Sequence, residues 1–278
     1  MLKVHLHHLA ILGGLLACAC SAENTANASR TATDTATTST MATASTGTTK
    51  SDVPNDTLAR ADHFKFWRAN AHSGPPLGMT VFLKGQFDKQ PWKATVDQIQ
   101  YVGNPADKKN EGIPDLKLHY VVYTIKTESQ TPPPVLVTNQ FVTRERWQLH
   151  DPKWLLVPAD VQQVDMPGIP PKGNHYVCYA ATAPTPVTQQ VSVVDAFDQN
   201  KPEVLQSLEA RYFCVPVEKT RPNHDTERIV DAETHLAVYA IENRKHRIPA
   251  RSNDQFGPRN LDVDHSEFLA VPSLKHID

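Results

Sequence analysis

An all-β fold is predicted for this chain of 278 residues, and three observations predict it. Short segments rich in β-branched and aromatic residues, such as Val135–Thr138 and Val191–Val194, recur along the chain and are typical of strands. Helical periodicity of the apolar residues is weak, and even its best stretch, residues 202–211, falls where the repeats described below predict strand or turn. The 22 prolines, against 11 glycines, suit many short strands joined by loops.

Four internal repeats organise the chain. Each begins with a histidine and a strand-like segment, and the histidines are separated by 56, 56 and 60 residues. A phenylalanine follows each histidine after 21 to 24 residues, and an apolar segment ending in proline closes each unit. The markers are, in order, His63, Phe87 and Pro105; His119, Phe141 and Pro158; His175, Phe197 and Pro216; and His235, Phe256 and Pro272. We therefore predict four tandem homologous β-repeats of about 56 residues, each with three or four strands.

Cys178 and Cys214 constrain how the strands of a unit meet. They lie in the first and last strands of the third unit, and a disulfide is the default for one cysteine pair in an oxidising compartment. Because a disulfide brings two Cα atoms to about 4.4–6.8 Å, those two strands must be neighbours or face each other. Apolar pairs occupy the same positions elsewhere, Val122 with Leu156 in the second unit and Val238 with Ala270 in the fourth.

This pairing bears on the architecture, because the first and last strands of a four-stranded propeller blade lie at opposite edges. We therefore predict that the units pair into two packed barrels or sandwiches. Residues 57–165 would hold repeats 1 and 2, and residues 166–278 would hold repeats 3 and 4. A single four-bladed propeller-like closure is the alternative.

The repeat resembles a known family. Residues 175–179 carry the pattern His-aromatic-x-Cys-Tyr, residues 213–216 end in Cys-Val-Pro, and residues 254–257 read Asp-Gln-Phe-Gly. This pattern is similar to a repeat family of unknown function in secreted bacterial proteins, over about residues 61–276. Three of the four units depart from it by lacking the cysteines. The resemblance implies a tandem architecture and no activity.

The N-terminus predicts export. A short positive start, Met1–Lys3, precedes about nine apolar residues ending at Ala17. That length suits a signal peptide and is too short for a bilayer core, which needs about 20 residues. Residues 15–18, Leu-Leu-Ala-Cys, resemble the lipobox of bacterial lipoprotein precursors. The resemblance implies that residues 1–17 are a signal peptide and that Cys18 carries acyl chains. It further implies an anchor in the cell envelope, with Ala19 favouring the outer membrane.

Composition defines the expected partners. Residues 18–56 are dominated by Ser, Thr and Ala and are predicted to be a disordered tether. The net charge of −2 gives no electrostatic case for a nucleic-acid partner. The expected partners are the membrane, through the acyl chains, and an unidentified protein or carbohydrate. No cofactor is expected.

No metal site is assigned either. The histidines His63, His119, His175 and His235 are compatible with zinc, but convergence on one ion would need four-fold closure around one axis. We predict instead that each bonds a loop carbonyl at the start of a strand. A faint calcium-loop pattern at residues 107–115 places Lys109 at a ligand position, where it cannot coordinate.

The second marker is also interpreted as structural. Asp195 and Asp254 are predicted to be turn residues, because Asp bonds its own backbone in turns. The phenylalanines Phe87, Phe141, Phe197 and Phe256 are predicted to lie in the core.

The chain contains no recognisable nucleophile, phosphate-binding or zinc-protease motif, so no catalytic residue is assigned. We expect a non-enzymatic, lipid-anchored envelope protein that serves as a structural or binding module. The alternatives are a surface adhesin for carbohydrate or protein and a periplasmic hydrolase. A deep cleft with polar groups of shifted pKa would favour the hydrolase. An exposed row of tryptophans would favour carbohydrate binding, and a smooth polar surface would favour a structural role.

Overall fold

A computed structural model describes residues 61–108, 111–198 and 201–277, together with Leu58. Residues 52–278 form one compact unit. The predicted signal peptide, Cys18 and the tether lie outside the described residues. Within the described part, no helix has the length and apolar character needed to cross a membrane.

The predicted all-β fold is confirmed, since the described residues form fourteen strands of one antiparallel sheet and one short 3-10 turn, Ala196–Asp198. The strands are β1 (His63–Ser73), β2 (Thr80–Gly85), β3 (Trp92–Lys108), β4 (His119–Lys126), β5 (Val135–Thr138), β6 (Glu145–Gln162), β7 (His175–Thr182), β8 (Val191–Asp195), β9 (Glu203–Leu205), β10 (Glu209–Thr220), β11 (Thr226–Glu227), β12 (His235–Ala240), β13 (Lys245–Asp254) and β14 (Gly257–Ile277).

Eight of these strands form a closed ring. Its order is β1, β3, β4, β6, β7, β10, β12 and β14, and it closes because β1 pairs with both β3 and β14. Each predicted unit supplies its first and its last strand, and these two strands are hydrogen-bonded to each other. The ring is therefore an antiparallel meander in which each ring strand pairs with the next ring strand along the chain, and β14 closes it by pairing with β1.

The middle strand of each predicted unit lies outside the ring and pairs with a strand of a distant unit. Strand β2 pairs with β10, β5 with β14, β8 with β3 and β13 with β6. These pairings tie the first unit to the third and the second to the fourth. The chain consequently does not divide into two packed barrels or sandwiches. The alternative prediction, a single closure of all four units, is nearer to the observed ring, but the units do not form propeller blades.

The closing prolines lie where the last strands change neighbours. Strand β6 pairs with β7 up to Leu156 and with β13 from Ala159, and Pro158 lies between these two segments. The other closing prolines, Pro105, Pro216 and Pro272, occupy the same kind of gap in β3, β10 and β14. Because proline has no N–H to donate, such a gap accepts it without breaking a ladder bond.

Side chains alternate between the inside of the ring and an outer core, as the pleat of a strand requires. The outer core lies between the ring and the middle strands and contains most of the buried apolar residues. The interior of the ring is a separate cluster. Its central layer consists of four cross-strand pairs, Phe66 with Gly103, Val122 with Leu156, Cys178 with Cys214, and Val238 with Ala270. The disulfide between Cys178 and Cys214 therefore lies inside the ring.

One end of the ring is filled by aromatic side chains. The layer beyond the central pairs consists of Tyr101, Trp154, Tyr212 and Phe268. Their ring centroids lie between 3.7 and 5.6 Å apart. The opposite end, where β1, β4, β7 and β12 begin, carries the cavity described next.

Candidate functional site

The candidate site is the open end of the ring, which we call the mouth. The residue after each repeat histidine points inward there, and these residues are Phe64, Tyr120, Tyr176 and Leu236. Each lies opposite the closing proline of its own unit. Above them is a cavity of about 510 Å³, within the size range of small-molecule sites. Its wall is completed by the residues before the histidines, Asp62, Leu118, Asn174 and Thr234, and by Lys172, Val230 and Asp231.

The floor of the mouth is aromatic. The rings of Phe64 and Tyr120 meet edge to face with centroids 4.9 Å apart, and those of Tyr120 and Tyr176 do so at 5.9 Å. Burial raises the pKa of both tyrosines, so both hydroxyls stay protonated at neutral pH. The Tyr176 hydroxyl accepts a 3.3 Å hydrogen bond from the Asn174 amide, which leaves its own proton to donate.

Asp62 is the acidic group of the mouth wall. Its Oδ1 accepts a 3.1 Å hydrogen bond from the backbone N–H of Asp115. Burial raises the pKa of Asp62 to about 6, and the neighbouring charge of Asp115 adds to the rise. Among the described residues, no lysine, arginine or histidine forms an ion pair with this carboxylate. The Asp62 carboxyl therefore lacks a counter-charge among the described residues.

The rest of the polar rim is held in place by backbone contacts. Asn174 Oδ1 accepts hydrogen bonds from the backbone N–H groups of Val230 and Asp231, at 2.8 and 3.0 Å. Asp231 Oδ1 in turn accepts from the N–H groups of Glu233 and Thr234. These contacts fix the loop that covers one side of the mouth, so the cavity is preorganised.

One family matches the chain. Residues 117–272 match a repeat of unknown function, DUF7450. The match covers more than half of the chain. The chain belongs to this repeat family. The DUF7450 segment runs from β4 into β14 and includes Tyr120, Tyr176 and Leu236 of the mouth, whereas Asp62 and Phe64 precede it. No curated protein and no solved structure matches the chain.

The four repeat histidines lie beside the mouth and contact different partners. Nδ1 of His119 is 3.0 Å from the carbonyl oxygen of Lys117, and Nδ1 of His235 is 2.8 Å from that of Glu233. His235 also contacts Gln86 at 3.0 Å. Within the described residues, no group of three or more His, Cys, Asp or Glu side chains is placed to hold a metal ion.

The histidines of the first and third units contact a glutamine from the following unit. His175 Nε2 lies 2.6 Å from Gln255 Nε2, and Gln140 bonds to His63. Burial lowers the pKa of both His63 and His235 to about 4, so these two rings are neutral at pH 7. Such neutral, enclosed rings join one predicted unit to the next.

A second cavity, of about 330 Å³, lies next to His175. Glu227 lines it and pairs with the buried Lys219 at 2.8 Å and with His175 at 3.2 Å. Burial lowers the pKa of Lys219 to about 8. Lys219 also donates to Gln255, so its donors are directed at protein groups rather than at the cavity.

The marker phenylalanines pack against distant aromatic rings. Phe197 meets Trp67 and Phe256 meets Tyr123, both edge to face, with centroids 5.8 and 5.3 Å apart. Phe87 and Phe141 meet Tyr179 and Tyr239 in the same way. The marker aspartates accept backbone hydrogen bonds within their own turns, as Asp195 does from Phe197 and Asp254 from Phe256.

The tryptophans form no exposed platform. Trp67, Trp147 and Trp154 are buried, and Trp92 is half-buried beside the outer core. The mouth is thus the concave feature of the described chain in which aromatic and polar groups converge. The sequence did not single out its residues, although one signal was present. In all four predicted units the residue after the histidine is large and apolar or aromatic, as at Phe64, Tyr120, Tyr176 and Leu236.

Proposed function

We propose that this chain is a non-enzymatic binding module, anchored by acyl chains on Cys18 in the cell envelope, that holds a small ligand in the mouth of its ring. The anchor rests on the lipobox resemblance of residues 15–18 and on the predicted tether. With an outer-membrane anchor, the tether would let the mouth stand away from the membrane surface.

The proposal includes four copies of the DUF7450 repeat, although the family match spans residues 117–272. The geometric support is the register of the first and last strands. The pairs Phe66 with Gly103 and Cys178 with Cys214 fall at equivalent positions of the first and third units. Four copies would give the mouth one inward residue per copy.

The observation that carries the binding role is the preorganised cavity with its aromatic floor. Small-molecule sites are concave and mostly apolar, with few polar groups in fixed positions. Phe64, Tyr120 and Tyr176 supply the apolar surface, and Asp62 and the two tyrosine hydroxyls supply the polar groups. An adhesin that binds carbohydrate or protein remains within this proposal if its ligand enters the mouth.

A periplasmic hydrolase is the second candidate, and one observation favours it. The Asp62 carboxyl, with a pKa raised to about 6, lies beside a second carboxylate, Asp115. A carboxyl group with a raised pKa suits general acid catalysis. Turnover that is lost in an Asp62→Asn variant would support the hydrolase over the binding module.

Ligand-observed NMR on the full chain in mild detergent tests the binding role. The fragment set should contain amines, carboxylates, alcohols and simple sugars. We expect at least one fragment to bind, and binding to be lost in Leu236→Trp, which fills the mouth, and in Val230→Trp, which narrows its rim. Leu116→Trp is the matched control, because Leu116 is exposed and outside the cavity lining. Absence of any mouth-dependent binding would overturn the proposal.

A further inference from the structure

The charge around the mouth indicates the ligand class. The carboxylates are Asp62 and Asp231 in the lining and Asp115 beside Asp62, whereas the lining contains a single lysine, Lys172, which is exposed. Asp231 Oδ1 is already engaged by two backbone N–H groups. The cavity is therefore net negative, with Asp62 as the least compensated charge.

A second, independent feature lies beneath that charge. Tyr120 is 2% exposed, lines the cavity, and forms no hydrogen bond through its hydroxyl with any described residue. Asp62 and Tyr120 line the same cavity, so the hydroxyl shares that space with the carboxylate. Because Tyr120 lines the cavity and no described group bonds its hydroxyl, that hydroxyl is available to a polar group of a ligand.

The aromatic floor completes the arrangement. An ammonium group is attracted to the faces of aromatic rings within about 6 Å and to an adjacent carboxylate. Phe64, Tyr120 and Tyr176 provide rings in two different orientations, since each neighbouring pair meets edge to face. The three rings therefore line the cavity in different orientations, which suits a cation better than an anion, since an anion would also meet the Asp62 charge.

We propose that the mouth binds a small organic cation, with its ammonium group between the Asp62 carboxylate and the Tyr120 hydroxyl and its carbon skeleton over the aromatic floor. This assignment rests on the proposed binding function and specifies its ligand class. Lys172 on the rim would then meet any neutral or anionic end of a longer ligand.

The test compares three probes of similar shape on the full chain in mild detergent: butylammonium, butanol and butyrate, at pH 8 and equal ionic strength. We expect butylammonium to bind at least about tenfold more tightly than butanol, and butyrate not to bind, since a tenfold difference corresponds to about 1.4 kcal/mol. In Asp62→Asn the advantage of butylammonium over butanol should fall to about unity, and in Tyr120→Phe butylammonium should bind several-fold more weakly. Asp262→Asn, which removes an exposed carboxylate outside the mouth, is the control and should change neither affinity.

The remaining outcomes separate this inference from the proposed function. Equal binding of butylammonium and butanol would overturn the cation inference and leave the binding module intact. The same holds if N-acetylglucosamine binds at the mouth while butylammonium does not. If neither these probes nor the fragment set binds, both proposals fail. Retention of the butylammonium preference in Asp62→Asn would also contradict the inference, because the carboxylate would not be the group that selects the cation.

Discussion

The Tyr123 hydroxyl donates a 2.5 Å hydrogen bond to Asp254 Oδ2, which joins two residues 131 positions apart. The Trp67 indole N–H bonds to Asp195 at 2.6 Å, and the Asn139 amide bonds to the Tyr239 hydroxyl at 3.0 Å. In each case the aromatic residue four positions after a repeat histidine meets the polar residue of a second marker two units away. These bonds hold the middle strands against the ring.

The equivalent bond is missing at the fourth such position, Tyr179, and this residue supplies a control for the bond between Tyr123 and Asp254. Gly85 stands where the other markers have Asp or Asn, so the hydroxyl of Tyr179 lacks that partner. We predict that Tyr123→Phe lowers the free energy of unfolding by about 1–3 kcal/mol, because the buried Asp254 loses a donor. Tyr179→Phe should lower it by less than about 1 kcal/mol. Urea denaturation of both variants measures the difference, and equal losses would show that the carboxylate contact is not the stabilising element.

The disulfide inside the ring should be replaceable by an apolar pair. Removing it in Cys178→Ala with Cys214→Ala should lower the free energy of unfolding by about 4 kcal/mol, since the bond closes a loop with a sequence separation of 36. Cys178→Val with Cys214→Ala copies the Val238 and Ala270 pair found at the same register in the fourth unit. Denaturant titrations should show that this second variant recovers part of the loss. A second variant less stable than the first would contradict the equivalence of the two pairs.

Lys65 is a buried charge whose loss should be costly. Its Nζ contacts Asp198 at 2.8 Å and Glu203 at 2.5 Å, inside the outer core. We predict that Lys65→Met lowers the free energy of unfolding by about 3–5 kcal/mol, because two carboxylates lose their ammonium partner. Adding Asp198→Asn should restore part of the stability.

The control for Lys65 is the exposed pair between Lys126 and Asp97, in which the lysine side chain is 71% exposed. Lys126→Met should change the free energy of unfolding by less than about 1 kcal/mol. Comparable losses in Lys65→Met and Lys126→Met would contradict the role given to the buried cluster.

The lipid anchor is tested by fractionation of cells. Cys18→Ala should move the protein from the membrane to the soluble fraction, because the acylated residue is lost and several acyl chains are needed for stable attachment. A second cysteine, Cys20, lies two positions after Cys18 and could be acylated in its place, so the double variant Cys18→Ala, Cys20→Ala is needed as well. Membrane retention of the double variant would contradict the lipoprotein prediction.

Local features of the fold were predictable from the sequence. Strands begin at His63, His119, His175 and His235, and the first and last strands of the third unit are neighbours, as the cysteine pair requires. The segments 147–149 and 261–263 are short runs in the sequence, and in the structure they are the first parts of the long strands β6 and β14.

The closure of the ring was not predictable in the same way. A disulfide reports only which two strands touch, and the pairing of β2 with β10 or of β8 with β3 depends on residues more than 80 positions apart. Alternation of apolar residues indicates that a strand has a buried face, but it does not identify the strand that packs against that face. The mouth could not be predicted for the same reason, because Asp62 and Tyr176 line one cavity only when the ring closes.

The most direct measurement is the pKa of Asp62, followed by carbon-detected NMR of its carboxyl group with and without saturating butylammonium. The titratable groups that face it are Asp115, Tyr120 and Tyr176, with Lys172 and Asp231 on the rim. The free protein should titrate at about pH 6. A bound ammonium favours the ionised carboxylate, so the pKa of Asp62 should fall on binding, and affinity should be lost as the pH drops through that range. An unchanged or higher pKa for Asp62 in the presence of saturating ligand would contradict a cation site at the mouth of the ring.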